Sequence, residues 1–307
     1  MSAKVKKTVP RFNRISMPMN ALFSALFILL AIICVMPLVF VIIISLSSEN
    51  SINTIGYAII PLEWSAFAYQ YLWNSMDTVG WAFLVSVTVT AAGTAAGLFL
   101  NATMGYVLSR RSFIFRKPFT ILVFIPMIFN GGLVSAYLVN TRLLMLQNSF
   151  LALVLPIAVT PFYIIILRTF FQTTVPETVI ESAKMDGASQ FRIFFSIVLP
   201  VSLPVLATIG LFLSFAYWND WFNAMLYIQS NHSRLYPLQY VLISIQRQIE
   251  MLSRGTDFFS VTVGRATIPL ESVRMALVVA VVLPIACSYP FFQRYFISGL
   301  TIGAVKG

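Results

Sequence analysis

Residues 181–200 read ESAKMDGASQFRIFFSIVLP. Glu181, Lys184, Asp186 and Arg192 put four charges into this stretch, with Gly187 near its centre and Pro200 at its end. Residues 143–167 before it and 193–219 overlapping and following it carry no charge. Upstream, Thr174 and Glu177 form a T-x-x-E pattern with Pro176 between them, which predicts a capped helix start with proline tolerated in the first turn. Glu177 and Glu181 then lie near the helix N-terminus, where negative charge is favoured. The helix is expected to run through about Asp186 and stop at Gly187, which can take the left-handed backbone that ends helices. Ser189 is placed to cap a second helix, QFRIFFSIVL, running to Pro200. The segment 174–200 therefore predicts a helix–turn–helix, polar at its start. Phe191, Phe194 and Phe195 make its second limb apolar enough to pack against the rest of the protein.

The surroundings decide what such a segment is attached to. The chain has 307 residues, 59% hydrophobic and only 10% charged, with mean hydropathy +0.87. Soluble domains carry about a quarter charged residues, so this composition indicates an all-α integral membrane protein. Six uncharged intervals, each able to supply the roughly 20 residues that cross a hydrocarbon core, predict spans at about 20–46, 80–108, 119–138, 150–170, 203–227 and 273–292. Period-two alternation is absent, which argues against a β-barrel. Residues 1–18 form a basic tail. The apolar run after it exceeds a signal-peptide core and lacks a cleavage pattern, so it is read as a retained first span. One membrane domain, about 19–298, is expected, followed by a short tail at 299–307.

Charge sets the orientation. With both termini inside, the inner segments hold fourteen basic and three acidic residues, a balance of +11, and the outer segments balance to zero. The net charge of +10 is thus a topology signal of the positive-inside kind, with both termini cytoplasmic in a plasma or inner membrane. It gives no reason to expect nucleic acid. Cys34 and Cys287 both fall in apolar runs and read as small hydrophobes. The outer segment 228–272 contains LYPLQYVLISIQRQIEML, whose apolar spacing predicts an amphipathic helix.

The spacing in the opening stretch carries a resemblance. Glu181-Ser182-Ala183, three residues, Gly187, nine residues, then Ile197-Val198-Leu199-Pro200 resembles the E-A-A-x3-G-x9-I-x-L-P loop of ATP-binding-cassette importer permeases, with Ser182 in place of the middle alanine. NGGLVSAYLV, WNDWFNAMLYI and YPFFQRYFISGLTIGAVKG resemble the carbohydrate-uptake permeases of the maltose-permease-like family. GGLVSAYLV and LYPLQYVLISI are similar to its oligosaccharide and polysaccharide subgroup, which works with lipoprotein binding proteins. The resemblance covers about residues 80–307.

It implies the six-helix type I importer permease fold, with segment 174–200 as a cytoplasmic coupling helix docked in a cleft of an ATPase subunit. Glu177, Glu181, Ala183, Asp186, Gly187, Ile197, Leu199 and Pro200 would form that coupling element, Glu181 facing the ATPase and Ala183 and Gly187 kept small by close approach. The implied partners are a second, homologous permease, two ATPase subunits, an extracytoplasmic sugar-binding protein of the lipoprotein type, the sugar and membrane lipid. ATP and Mg would be bound by the ATPase subunits, with no cofactor in this chain. The tail, through Gly303, Lys306 and Gly307, would add a second ATPase contact. Asn231, His232, Arg254 and Asp257 in the outer segment would meet the binding protein.

A substrate path is suggested by the polar residues gathered in the fifth span. Asp220 would lie about 24 Å along it from Pro204, towards the outer face, and a carboxylate there should face a wet cavity or a partner group. Tyr217, Trp218, Asn219, Asp220 and Asn223 combine hydroxyl acceptors with aromatic rings, which suits sugars. Two other readings stay open: Trp218 and Trp221 as part of an interfacial aromatic belt, and Asp220 as a helix cap or inter-subunit bond. The chain has no G-x-x-x-x-G-K-[ST] and no H-E-x-x-H or G-x-S-x-G, so neither nucleotide binding nor hydrolysis is expected of it. The main rival is an ion-coupled secondary transporter using Asp220, which would normally show repeated halves with broken helices.

Overall fold

The computed structural model describes residues 17–247 and 271–287. The basic N-terminal residues, Arg254, Asp257, most of the outer segment's second half, and the tail with Gly303, Lys306 and Gly307 lie outside the described residues, as does the end of the sixth expected span. The described residues form helices and connecting turns, with a single isolated bridge between Ser47 and Trp64. The chain divides into two compact units, Met1–Tyr69 with Ile268–Val279, and Gln70–Thr267 with Ala280–Gly307.

In the smaller unit, α1 (Met17–Ser45) is 29 residues long and apolar throughout. Nearly all its side chains are exposed, Met17 at 91% and Leu22 at 68%. A stripe this apolar on every face is what lipid requires and water does not tolerate. Ser48 accepts a hydrogen bond from the Ser51 amide (3.1 Å) and so caps α2 (Glu49–Ile55). The carboxylate of Glu49 accepts from the Ser272 amide (3.2 Å) and hydroxyl (2.9 Å), closing the open amides at the start of the helical residues 271–287.

The larger unit is built on α4 (Met76–Ser109), preceded by the short α3 (Phe67–Asn74), which begins within the smaller unit. Then follow α5 (Arg116–Ile128), α6 (Gly132–Leu138), α7 (Leu151–Ala158), α8 (Pro161–Thr174), α9 (Glu177–Met185), α10 (Gln190–Ile193), α11 (Leu199–Val201), α12 (Leu203–Trp218) and α13 (Phe222–Tyr227). Residues 194–198 join α10 to α11 as a π-helical stretch, so the helix is continuous from Gln190 to Val201. Residues 238–247 are helical, within the amphipathic stretch predicted from spacing.

Only α1 and α4 are long and apolar enough to cross a bilayer alone among the described residues. Three further apolar stretches, overlapping those expected at 119–138, 150–170 and 203–227, form bent helix pairs, each with the length and composition of a broken span or a re-entrant loop. α5 and the helix Gly132–Leu143 meet at 119°, α7 and α8 at 50°, and the helix Gln190–Val201 meets α12 at 84°. Each break has a local cause. Gly132 takes φ +82° after Phe129-Asn130-Gly131, a conformation other residues rarely adopt. Pro161 follows Val159-Thr160 and opens α8. Ser202 separates Val201 from Leu203 and Pro204.

A row of four residues on α4, spaced by four, holds the larger unit together: Gly93, Gly97, Asn101 and Gly105. Positions four apart share a helix face, and small residues there let backbones approach closely. A Cβ on Gly97 would lie 3.0 Å from the Ala158 carbonyl oxygen, and one on Gly105 would lie 2.8 Å from Leu167 Cβ. Asn101 is fully buried at the break between α7 and α8. Its Nδ2 donates to the Ala158 carbonyl (2.7 Å), and its Oδ1 accepts from the Thr160 amide (3.1 Å). The backbone groups freed by the break are thereby satisfied inside the protein, as they must be where water is scarce. Around this row Leu153, Leu167, Ile209, Leu213 and Tyr217 form the core.

Candidate functional site

The segment between α8 and α12 folds as a helix–turn–helix, although its start differs from expectation. Thr174 is the last residue of α8, and Pro176 occupies the N-cap of α9 without a side-chain bond. The T-x-x-E pattern is therefore not used as a capping box. Glu177 turns instead to Arg110, whose Nη1 lies 3.4 Å from its Oε2. The reason is geometric: with Thr174 committed to α8, its hydroxyl is not at the helix start, and a proline cap offers no hydroxyl.

The turn itself follows the pattern expected of Gly187. Its φ is +80°, its amide donates to the Lys184 carbonyl (3.0 Å), and the Ala188 amide donates to the Ala183 carbonyl (2.9 Å). These two bonds are the paired signature of a Schellman motif, which requires a left-handed residue at this position. A Cβ on Gly187 would meet nothing within 4 Å, so backbone conformation explains this glycine within the chain. Ser189 Oγ accepts from the Arg192 amide (3.3 Å) and caps the second limb.

Anchoring comes from one face of each limb. Ile180, Ile193 and Val198 are fully buried and join the core, with Ala183, Ala188, Ile197 and Leu199 packed against it. Phe194 is buried and sits 5.1 Å from the Tyr106 ring, while Phe191 and Phe195 are exposed at 78% and 50%. Only one of the three phenylalanines expected to pack inward does so. The helical turn explains it, since 191 and 195 share a face that 194 does not. The other side of the segment, Glu181, Asp186, Gly187, Pro200 and Met185 (89% exposed), is open.

Arg110 ties this segment to α4. Its side chain is buried, with Nε donating to Ser109 Oγ (2.9 Å), Nη2 donating to the Phe171 carbonyl (3.2 Å), and its guanidinium 5.2 Å above the Tyr106 ring. Burial lowers its pKa, and the Glu177 carboxylate works in the opposite direction. Tyr106 Oη pairs with Gln190 Oε1 at 3.2 Å. α4, α8, α9 and α10 thus meet in one hydrogen-bonded knot.

The residues expected along a substrate path do not converge on one cavity. Trp218 lines a cavity of about 450 Å³ with Thr90, Thr94 and Ser214. Its indole N–H donates to the Val281 carbonyl at 3.1 Å. Tyr217 is buried and donates to the Val154 carbonyl (2.7 Å), with its ring against Gly93. Asn219 donates to the Phe215 carbonyl. Asp220 serves as a helix cap, one of its open readings: Oδ1 accepts from the amides of Phe222 and Asn223 (both 3.2 Å), and Oδ2 from Asn223 Nδ2 (2.9 Å). Thr90 and Thr94 were not among the expected residues. Thr90 Oγ1 is buried without a hydrogen-bond partner among the described residues, on the wall of the cavity. A threonine pair four apart in an apolar helix is the signal that points to them.

Of the outer residues, Asn231 and His232 are exposed and bonded to each other, Asn231 Oδ1 lying 2.8 Å from His232 Nδ1. No group of three metal-ligating side chains occurs among the described residues.

Comparisons with known proteins agree on one family. The family model described as "Binding-protein-dependent transport system inner membrane component" matches residues 89–302. The polygalacturonan/rhamnogalacturonan transport system permease protein YtcP of Bacillus subtilis (strain 168) is 40% identical over 293 residues, covering 94% of this chain and 99% of that protein. Protein LplC of the same organism is 39% identical over 275 residues, covering 90% of each. The crystal structure of a bacterial ABC transporter involved in the import of the acidic polysaccharide alginate contains a chain that superimposes with a TM-score of 0.76. That chain is 24% identical, and the match covers 95% of this chain and 100% of the other, a likeness of fold.

Proposed function

The chain belongs to the family of binding-protein-dependent transport system inner membrane components, and from that premise we propose that segment 174–200 is the coupling element of a sugar importer. The chain is a non-catalytic permease subunit, ATP hydrolysis residing in partner subunits. Such permeases work with a second permease, ATPases and a substrate-binding protein. Family membership lends no support to the ion-coupled alternative. In our reading the chain has six spans with both termini inside, pairs with a similar permease, and receives its sugar from an external lipoprotein.

The observation that carries the coupling role is a rigid, capped helix–turn–helix anchored on one side and open on the other. Ile180, Ile193 and Val198 fix it to the core, and Arg110–Glu177 ties it to α4, while Glu181, Met185, Asp186 and Gly187 face outward. A displacement applied to the open face is passed to α4, α8 and α12 without stretching, because the bend is closed by two backbone bonds. Alternating access would follow as partner ATPases draw the segment inward and release it. The cavity beside Thr90, Thr94, Ser214 and Trp218 is our candidate for this subunit's part of the sugar path: its buried Thr90 hydroxyl lacks a partner among the described residues, and its indole offers a ring for sugar C–H groups. Asn231, His232, Arg254 and Asp257 remain our candidates for binding-protein contact, and Gly303, Lys306 and Gly307 for a second ATPase contact.

The names of the relatives, polygalacturonan and rhamnogalacturonan among them, favour an oligosaccharide or polysaccharide fragment as cargo. The test is uptake by sealed vesicles containing the chain with its partner permease, ATPases and binding protein. Galacturonate oligosaccharide should accumulate only with ATP on the ATPase side. Accumulation driven by a proton or sodium gradient without the ATPases would overturn the reading.

A further inference from the structure

Residues 110–119, RRSFIFRKPF, run from the end of α4 into the first turn of α5, and apart from Arg110 they take no part in the function above. They place three guanidinium groups around one small polar cleft. The cleft, of about 250 Å³, is lined by Arg110, Arg111, Arg116, Gln172 and Glu177, among others. Glu177 is its only carboxylate among the described residues, and it is already committed to Arg110 at 3.4 Å. Arg111 and Arg116 have no carboxylate partner among the described residues. Arg168 is close by, its Nε donating to the Leu108 carbonyl (3.3 Å). Like charges gathered this tightly repel one another, and Arg116 adds to the effects that weaken the hold of Arg110 on its proton.

A second feature sits beside the charges. Ile114, Phe115 and Phe119 are exposed at 88%, 60% and 49%, and Phe113 packs between the rings of Phe115 and Phe119. An apolar ridge next to unpaired guanidinium groups at the end of a membrane helix matches a lipid at the interface, acyl chains on one side and phosphate on the other. A soluble anion would have no use for the ridge. Guanidinium forks suit phosphate oxygens by geometry as well as charge.

We propose that the cleft formed by Arg110, Arg111 and Arg116 binds the phosphate of an anionic phospholipid of the inner leaflet, with the ridge of Ile114, Phe115 and Phe119 against its acyl chains. The inference rests on the reading that places residues 110–117 on the inner side. Because Arg110 also holds Glu177, the lipid headgroup sits one residue from the coupling element, and the charge of the leaflet would bear on how firmly that element is held.

The test uses the complete transporter complex, exposed to equal amounts of phosphatidylglycerol and phosphatidylcholine and analysed for retained lipid by native mass spectrometry. The protein should retain phosphatidylglycerol in preference, and Arg111→Gln with Arg116→Gln should reduce that preference roughly tenfold, each cation near the surface contributing substantially. Arg111→Lys with Arg116→Lys, which keeps the charge and loses the fork, should retain more of it than the glutamine pair and less than the parent, which separates charge from damage to the fold. Equal retention by the glutamine variant would overturn the proposal. So would binding of inorganic phosphate that depends on these arginines without any preference for phosphatidylglycerol, since that is a free-anion site. ATP-driven uptake measured in the same preparations keeps the two readings apart: uptake with no lipid preference removes this inference alone, and absence of uptake counts against the importer.

Discussion

Gly187→Pro is expected to stop ATP-driven uptake while leaving the chain in the membrane. Gly187 sits at φ +80° with its amide bonded to the Lys184 carbonyl. Proline holds φ near −65° and has no amide hydrogen, so the turn would have to be rebuilt and the first limb would leave its present direction. The open face would be displaced by ångströms, and misplacing a working element by about 1 Å can cost about a hundredfold in rate. Gly187→Asn is the informative companion. Asparagine tolerates the left-handed region better than other side chains, and no neighbour lies within 4 Å of a Cβ there. Uptake by the asparagine variant should stay within a few-fold of the parent, because asparagine, as a single residue, visits the left-handed region that costs other side chains about 1–2 kcal/mol. Uptake is measured in vesicles and insertion by membrane fractionation. Normal uptake by the proline variant would remove the coupling role from this turn.

Gly105→Leu should fail earlier, at the level of the fold. A Cβ at 105 would lie 2.8 Å from Leu167 Cβ, 3.1 Å from the Arg168 amide nitrogen and 3.2 Å from the Ile164 carbonyl oxygen. Two of those three atoms are backbone and cannot step aside, so α8 must move as a whole. Overpacking of a core commonly costs about 1–3 kcal/mol, and a rigid helix on the far side puts this site at or above the upper end. The measurement is thermal unfolding of the detergent-solubilised protein, with Gly80→Ala as control. At Gly80 the close neighbour of a Cβ among the described residues is the Met76 sulfur at 3.2 Å, in a flexible side chain, so little change is expected. Similar melting for both variants would mean that α4 and α8 are not held at this distance.

Much of this architecture is written locally, and the parts that are not share a physical reason. The two long apolar helices are legible because uncharged length alone specifies them: α1 and α4 lie within a few residues of the stretches 20–46 and 80–108. The Gly187 turn and the Ser189 cap are legible because each depends on a handful of adjacent residues. The bends at 119°, 50° and 84° escape hydropathy, which measures whether a run can lie in lipid and says nothing of its straightness. Thr174 is misleading for a related reason. Its T-x-x-E pattern is a sound local signal, but Thr174 is taken up as the last residue of α8, and Arg110, 67 residues from Glu177, takes the carboxylate. Asn101 is the clearest case of a residue read only in three dimensions. Its role is to repair a helix break 57 residues further on, and nothing adjacent to it in sequence announces that break.

The same contrast holds for the candidate sites. The coupling segment stood out because charge, glycine and proline interrupt two apolar runs. The residues grouped for a substrate path do not share one cavity, because they were grouped by proximity in sequence. Folding sends Tyr217 to Val154, Asp220 to the amides of α13 and Trp218 to a cavity shared with α4. A helix turns 100° per residue, so neighbours in sequence face different partners.

The coupling claim is tested most directly at Met185, which is 89% exposed on the open side of the segment and outside the core. A Met185→Cys variant in native membranes, treated with a short thiol cross-linker, should form a covalent adduct with the ATPase subunit, and the yield should change when ATP is bound. Cross-links only to external proteins, or labelling of this cysteine from the outer side of sealed cells, would contradict the account.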